Sequence, residues 1–303
     1  MASAAQTNVV AFTPESSRTT LLGACRAIGV ESQGARLLRL GENAIYHLPD
    51  IDLVVRIARG VDVLGDAKKE VAVSRWLRSS GLRAAEIADF EQPIVIGNHP
   101  VTFWKFIRSP GVLASIADLA AVLRQLHSLT PPVDLDLPAL DLFSRVDARI
   151  DRANDVPVLD REFLRYRVKE LRAAYAELTF PLEPCAVHGD AHTANLIKEY
   201  DGSVTLIDFE RFAFGQPEVD LAVTAVEHRI GWCTDSEYDS FVSAYGFDVT
   251  DWSGFPTIQA ISELKMTTWI MQNVSHSPEI ASEVRTRLDA LRDSSAPRHW
   301  KPF

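Results

Sequence analysis

The stretch from residue 187 to residue 210 constrains this chain more than any other, because three side chains with oxygen ligands flank its two apolar runs. Asp190 is followed five positions later by Asn195, and the second apolar run ends at Asp208. An Asp-Gly pair separates the runs and is a strong hairpin signal. Two short antiparallel strands would place Asn195 and Asp208 at the same end of one ribbon, with Asp190 in the loop that leads into it. The sequence therefore predicts two carboxylates and a carboxamide converging on one place.

Carboxylate and carboxamide oxygens suit Mg²⁺, which proteins hold through few carboxylates together with substrate phosphates. Two other interpretations exist. His188, Asp190 and His192 alternate along the chain, so on a strand they would share a face and could bind a transition metal. Gly189 argues against a strand there, and this interpretation leaves the two later ligands unexplained. In a purely structural interpretation, the acids belong to turns and accept hydrogen bonds from backbone N–H groups.

Length and composition describe a soluble globular protein of one large or two ordinary domains, since 47% of the 303 residues are hydrophobic and 24% are charged. The net charge of −10 and the sequence pI of about 5.3 disfavour a nucleic-acid partner, because phosphate backbones are bound by clustered Lys and Arg. On overall charge alone, a cationic substrate would be attracted. Many acidic proteins, however, carry their charge for solubility.

The cysteines and the N-terminus indicate where the protein works. Cys25, Cys185 and Cys233 are odd in number and far apart, which predicts free thiols in a reducing compartment. The N-terminus has no signal-peptide pattern, and nowhere do eighteen apolar residues follow one another. We expect a cytoplasmic protein with no membrane partner.

The motif stretch resembles the aminoglycoside phosphotransferase family, whose hallmark is a His-Gly-Asp-x-x-x-x-Asn loop followed by Ile-Asp-aromatic-Glu or Asp. Protein kinases share the order and spacing of these acids and of the Asn, but they have Arg before the first Asp and Gly at the end of Asp-Phe-Gly. This chain has Gly189 and Glu210 at those places. The resemblance implies an α+β, bilobal protein-kinase-like fold with a small β-rich N-terminal lobe and a larger, mainly helical C-terminal lobe.

The resemblance also implies an activity and a set of roles. The activity is transfer of the γ-phosphoryl group of ATP or GTP, with Mg²⁺, to a hydroxyl of an antibiotic or a hydroxylated metabolite. Asp190 would be the catalytic base, and Asn195 and Asp208 would bind the metal. His188 would support the catalytic loop, and Asp220, in a Gly-x-Pro-x-x-Asp-Leu segment, would brace it through backbone N–H groups.

Nucleotide binding is implied for the first third of the chain. A Gly-containing loop precedes a β-hairpin, and the second strand of that hairpin carries a basic residue. A following helix would supply the acid that pairs with this basic residue, and a later strand would contact the adenine edge. Each residue also has a purely structural interpretation, as a turn residue, a strand-edge cation, a solvated helix acid or a buried aromatic strand. The implied nucleotide-binding residues are Gly41, Asn43, Arg56, Glu70, Phe103, Trp104, Lys105 and Phe106.

The expected organisation is a flexible N-terminal arm at 1–17, a nucleotide-binding lobe at 18–107, and a catalytic and acceptor-binding lobe at 108–303. Acids in the last lobe would meet the acceptor if it is a cation, although solvated helix faces explain them equally simply. These implied acceptor-binding residues are Glu210, Glu227 and Glu263. Helices are expected over 19–28, 66–80, 116–129, 160–178, 235–245, 257–274 and 278–292.

Three rival functions remain open from the sequence. A non-catalytic nucleotide-binding or interaction module would keep the fold without turnover. A protein kinase is disfavoured by Gly189 and by the short distance between Asp208 and the Asp220 segment, which leaves no room for a long activation loop. A metal-dependent hydrolase would use His188 and His192 around a transition metal.

Overall fold

The structure, a computed structural model, describes residues 12–293 and 295–303, and the chain forms two compact units. The predicted boundary at 107/108 lies close to 112, where the first continuous segment of the first unit ends. Residues 1–11 of the expected N-terminal arm lie outside the described residues. The first unit comprises residues up to 112 with 131–136 and 197–210, and the second comprises 113–130, 137–196 and 211–303.

A five-stranded antiparallel sheet is the centre of the first unit. In its second strand, alternate residues face the core, so that Ala44, Tyr46 and Leu48 are buried. The predicted hairpin at 41–57 is present, and the sequence missed the exposed edge strand before it, which has no alternating pattern. The strands are β1 (Arg36–Leu40), β2 (Asn43–Leu48), β3 (Leu53–Ala58), β4 (Ile94–Ile96) and β5 (His99–Lys105), in the order β1-β2-β3-β5-β4.

Two helices accompany this sheet, α1 (Pro14–Ile28) and α2 (Leu64–Ser79). The first begins five residues before the predicted start, because the Thr13 side chain accepts a hydrogen bond from the Ser16 N–H and Pro14 fits the first helical position. Residues 14–17, which the sequence assigned to the arm, are therefore helical. The hydroxyls of Ser17 and Tyr46 lie 2.8 Å apart and tie α1 to β2.

The motif stretch forms a two-stranded sheet of β7 (Leu196–Lys198) and β8 (Val204–Leu206), as predicted from its apolar runs. Within the first unit, the Ala85 N–H donates to the Leu206 carbonyl and the Leu206 N–H donates to the Arg83 carbonyl. These bonds fix the end of β8 just before Asp208.

The second unit is mainly helical and also holds a small sheet of β6 (Cys185–Val187) and β9 (Ala213–Gly215). The long helices agree with the predicted periodicity within a few residues, whereas the short fourth helix and β9 were not predicted. The C-terminal aromatic residue Trp300 packs against Ile230 and Ala290. The helices are α3 (Ile116–His127), α4 (Val146–Arg152), α5 (Val158–Ala176), α6 (Glu218–Arg229), α7 (Asp235–Tyr245), α8 (Phe255–Ile270) and α9 (Pro278–Arg292).

A small sheet unit and a larger helical unit confirm the predicted α+β class. Within the described residues, no helix has both the length and the apolar composition needed to cross a bilayer.

Candidate active site

The motif loop, residues 188–195 of the second unit, starts at the end of β6, whose three residues are all buried. Gly189 has φ of +77°, and a Cβ there would lie 2.4 Å from the carbonyl oxygen of Arg211. Both facts require glycine, because a left-handed backbone is costly for other residues and the backbone oxygen leaves no room. This close approach fixes the loop against the segment that begins at Arg211.

Asp220 holds the same loop from the other side. Its carboxylate accepts the backbone N–H of His188 at 2.7 Å and that of Gly189 at 2.9 Å, and it lies 3.1 Å from Nε2 of His127. The side chain is fully buried in the first turn of α6. Burial alone raises the pKa of this carboxyl, but the bond and charge of His127 and the bonds from the loop together hold the pKa below its usual value.

His127, on α3, contacts Asp220, an interaction that the sequence did not predict. Its Nδ1 lies 2.9 Å from the Tyr245 hydroxyl at the end of α7, so the ring bridges α7 and Asp220. Tyr245 was missed entirely, since nothing in its local sequence distinguishes it from other helix aromatics. Only the packing of α3 against α7 brings the two residues together.

Asp190 and Asn195 lie on this loop in a geometry that leaves their ligand oxygens available. The Asp190 side chain is about half exposed, at 47%. Nδ2 of Asn195 donates to the Asp190 carbonyl at 2.8 Å and lies 3.2 Å from Nε2 of His192. Among the described residues, no donor contacts Oδ1 of Asn195. The amide is thus oriented with its oxygen free, as a metal ligand requires.

Asp208, the third of the motif residues, belongs to the first unit. Its φ is +65°, which is uncommon for a residue other than glycine, and its side chain is exposed between buried Leu206 and Phe209. No described residue donates a hydrogen bond to it. Free oxygens on Asn195 and Asp208 are the donor type that Mg²⁺ takes.

Among the described residues, no three His, Cys, Asp or Glu side chains form a metal-binding group, and His188 is fully buried against Phe212.

Arg56 lies at the centre of a charge cluster in the first unit. Its Nη1 contacts the Glu70 carboxylate, and its Nη2 donates to the Glu210 carboxylate at 2.8 Å. With its amide oriented so that oxygen faces Arg56, Asn43 accepts bonds from Nη2 and Nε at 2.9 and 3.0 Å. The pairing of Arg56 with Glu70 was predicted. The bridge to Glu210 was not, and it uses the two-pronged geometry that guanidinium offers and ammonium lacks.

The charges of this cluster oppose each other. Burial, together with the negative charges of Glu210 and Asp208, raises the pKa of Glu70 to about 7, although the Arg56 cation acts to lower it. Lys69, the neighbour of Glu70 on α2, donates to the Glu210 carbonyl at 2.6 Å. The Gly41 carbonyl accepts two bonds from Arg59, at 2.9 and 2.7 Å. Gly41, Asn43, Arg56 and Glu70 therefore lie within one hydrogen-bonded strand and helix framework.

In the strand expected to contact adenine, most side chains and backbone N–H groups already have partners within the protein. Phe103 is fully buried in the core of the first unit, and Trp104 packs near Phe209. The backbone N–H of Lys105 donates to Glu86 and that of Phe106 to Asp52. In the described part of the chain, the N–H of the next residue, Ile107, has no partner.

The implied acceptor-binding acids have different surroundings. Glu210 is bound by Arg56. Glu263 is buried and accepts from Gln259 at 2.8 Å, with Arg298 at 3.4 Å. Glu227 is partly buried on α6, has no hydrogen-bond partner for its side chain among the described residues, and has its pKa raised to about 7 by burial.

Comparison with models of protein families identifies the family of the chain. The sequence model of the phosphotransferase enzyme family, APH, matches residues 37–255, which include every implied catalytic, metal and nucleotide residue. A search of curated protein sequences found no match.

Several solved structures share the fold. Choline kinase from Streptococcus pneumoniae is 16% identical with a TM-score of 0.65, over 91% of this chain and 99% of that one. An aminoglycoside phosphotransferase from Streptomyces rimosus is 20% identical with a TM-score of 0.59, over 82% and 98%. An amicoumacin kinase solved with AMP-PNP and Ca²⁺ is 12% identical with a TM-score of 0.70, over 94% and 97%.

These similarities confirm the protein-kinase-like fold of small-molecule kinases. The family match covers most of the chain, and the family transfers phosphoryl groups to hydroxyls of small molecules. The chain therefore belongs to the aminoglycoside phosphotransferase family and is a phosphotransferase with an alcohol group as acceptor.

Proposed function

We propose that this protein transfers the γ-phosphoryl group of ATP or GTP to a hydroxyl of a small molecule, with Asp190 as the catalytic base and Mg²⁺ as the metal. The observation that carries the proposal is the state of the catalytic loop. Two backbone N–H groups of the loop donate to Asp220, which also contacts His127, yet the Asp190 carboxylate stays half exposed and open to an acceptor.

In the proposed reaction, Asp190 accepts the proton as the acceptor O–H bond breaks. The new bond from acceptor oxygen to γ-phosphorus forms while the bond from γ-phosphorus to the β,γ-bridging oxygen breaks, and the nucleoside diphosphate leaves. Most of the catalysis would come from positioning and electrostatics. A bound Mg²⁺ would neutralise charge on the β- and γ-phosphates, and Asn195 and Asp208 would hold it through their free oxygens.

The first unit would supply the nucleotide contacts. Arg56 offers a permanent positive charge, and Glu70, Glu210 and Asn43 hold its guanidinium in one orientation. The free N–H of Ile107 is suited to donate to the adenine edge, because the N–H groups of the two preceding residues already have partners.

The experiment that tests the proposal is Mg²⁺-dependent consumption of ATP and GTP against a panel of hydroxylated antibiotics, sugars and amino alcohols. Replacing Asp190→Asn should lower kcat about thousandfold, the middle of the range for loss of a general base, while nucleotide affinity stays unchanged. Asp239→Asn on α7 is the matched control, since Asp239 is exposed and has no side-chain partner among the described residues. Full turnover in the Asp190→Asn protein would refute the role of this residue, and nucleotide binding without turnover would favour a non-catalytic module.

A further inference from the structure

The Asp190 carboxylate has a permanent cation and a histidine beside it. Nε of Arg211 is 3.7 Å from Oδ2 of Asp190, and Nε2 of His192 is 3.9 Å from the same oxygen. The carbonyl oxygen of Arg211 is also the atom that approaches Gly189, so this residue is fixed next to the loop at its backbone. The backbone packing at Gly189 therefore keeps Arg211 next to Asp190.

A second cation, Lys265 on α8, belongs to the same environment. Its side chain is partly buried, and its ammonium group makes no hydrogen bond or ion pair with any described residue. Burial, together with the charges of Arg211 and Arg149, lowers the pKa of Lys265 to about 8, although the charges of Asp190 and Asp220 act to raise it. These four charged side chains thus interact electrostatically with the ammonium group.

A partly buried ammonium without a partner would be stabilised by an anionic group. Removing a charge from water is costly unless another charge or a set of hydrogen bonds replaces the water. Asp190 does not supply that partner, since no ion pair joins it to Lys265. Asp220 does not supply it either, because its carboxylate is bonded to the loop and to His127.

We propose that the acceptor carries an anionic group, a carboxylate or a phosphate, which binds to Lys265 and Arg211 while its hydroxyl faces Asp190. This inference rests on the proposed function, and it names the class of substrate. Both cations belong to the second unit, as does Asp190, so one unit holds the base and the anion-binding groups together.

This proposal differs from the sequence analysis, in which the negative net charge favoured a cationic substrate. A net charge of −10 favours cationic ligands at long range, but the side chains nearest to Asp190 decide what binds beside it. An aminoglycoside or a choline-like alcohol would bring its own positive charge towards Arg211 and Lys265. Such acceptors would meet repulsion there, whereas hydroxy acids and phosphorylated alcohols would complete the charge pairing.

Anion binding can be tested without knowing the acceptor. The thermal stability of the whole protein would be followed with inorganic phosphate, with acetate and with chloride at equal ionic strength. We expect phosphate or acetate to raise the Tm of the wild type, and the one that does so distinguishes a phosphate site from a carboxylate site. Lys265→Met should abolish this increase, Lys265→Arg should keep it, and Lys169→Met, at an exposed lysine of α5, should leave it unchanged. An increase that is absent, or that survives in Lys265→Met, would overturn the proposal.

Turnover provides the second test. The acceptors are glycerol, D-glycerate, glycerol 3-phosphate and 3-amino-1,2-propanediol, and the matched sugars are D-glucose, D-glucuronate, D-glucose 6-phosphate and D-glucosamine. Within the glycerol series and within the glucose series, the anionic acceptors should have a higher kcat/KM than the neutral and cationic ones. Lys265→Met should raise the acceptor KM about tenfold, the effect of one charged hydrogen bond, with the nucleotide KM unchanged. A fall in kcat with unchanged acceptor KM would instead place Lys265 on the transferred phosphoryl group and refute the proposal.

The two proposals fail in different ways. If Asp190→Asn abolishes turnover while anions still stabilise the protein through Lys265, both proposals stand. If anions stabilise it but Asp190→Asn leaves turnover intact, only the proposed role of Asp190 fails. If cationic acceptors are the better substrates and turnover depends on Asp190, the function stands and the anionic acceptor is wrong.

Discussion

The backbone N–H of His188 donates to the buried carboxylate of Asp220 at 2.7 Å, which makes the conformation of the catalytic loop depend on a charge that never reaches solvent. Asp220 lies on α6 and His188 follows β6, so one interaction joins a helix start to a strand end. A buried carboxylate that accepts several N–H bonds is stable because each lone pair is directed at a donor.

Asp220→Asn should therefore disrupt the loop although it preserves shape. The new NH₂ group would face at least one N–H donor, and the negative charge opposite His127 would be lost. We expect a loss of about 3 kcal/mol in the free energy of unfolding, within the range for breaking a buried charged network, and a lower kcat. Urea denaturation with Asp239→Asn as the exposed control measures it. A stability equal to wild type would contradict the proposed brace.

Arg56→Lys should weaken the charge cluster of the first unit while keeping its positive charge. An ammonium cannot offer the parallel prongs that reach Glu70 and Glu210 together. We expect a loss of about 2 kcal/mol in stability and an increase of about tenfold in the KM for ATP. Arg36→Lys on the exposed strand β1 is the control. Unchanged kinetics in Arg56→Lys would show that charge alone suffices at this position.

Lys265→Met should stabilise the protein at neutral pH. The pKa of Lys265 falls from its usual 10.5 to about 8, so the folded state binds its proton less tightly than the unfolded state does. Below pH 8 the wild type carries the full cost of the buried charge, and this cost disappears as the pH rises towards 10.5. The variant should gain at most about 3 kcal/mol at pH 7 and nothing above pH 10.5. Urea denaturation of the variant and the wild type at both pH values measures this difference in stability. A variant less stable than the wild type at pH 7 would mean that the ammonium has a partner.

Glu227→Gln should change how stability depends on pH. Burial raises the pKa of Glu227 from 4.5 to about 7, so the folded state binds more protons than the unfolded state between these values. The contribution of the neutral carboxyl is complete below pH 4.5 and is lost as the pH rises through 7. The variant should equal wild type at low pH and exceed it by at most about 3 kcal/mol at pH 8. Glu162→Gln, on an exposed position of α5, should show no such trend.

Local signals predicted the elements whose ends are determined by neighbouring residues. The helix α7 begins and ends as expected, because Thr234 and Glu237 form a capping box and Gly246 adopts the left-handed conformation. Pro278 at the start of α9 gives a similar signal. The order and spacing of Asp190, Asn195 and Asp208, with Gly189 and Glu210 beside them, identified the family.

Residues that act through distant partners could not be predicted in this way. Tyr245 contacts His127 across 118 positions of sequence, and Glu210 contacts Arg56 across 154. The three-residue strand β9 pairs with β6 only because the intervening chain returns there, so it has no periodicity of its own. The free ammonium of Lys265 has no local signal either, since a lysine in a helical pattern is usually solvated.

The close packing at Gly189 also bears on how such loops diverge. Protein kinases place an arginine immediately before the catalytic Asp. Here the carbonyl of Arg211 occupies the space that any side chain at that position would need, and the guanidinium of the same residue lies 3.7 Å from Asp190. The cation beside Asp190 thus comes from a position 21 residues further along the chain. An alignment of the loop alone would score this chain as lacking that arginine, and a single substitution at 189 could not restore it without first displacing residue 211.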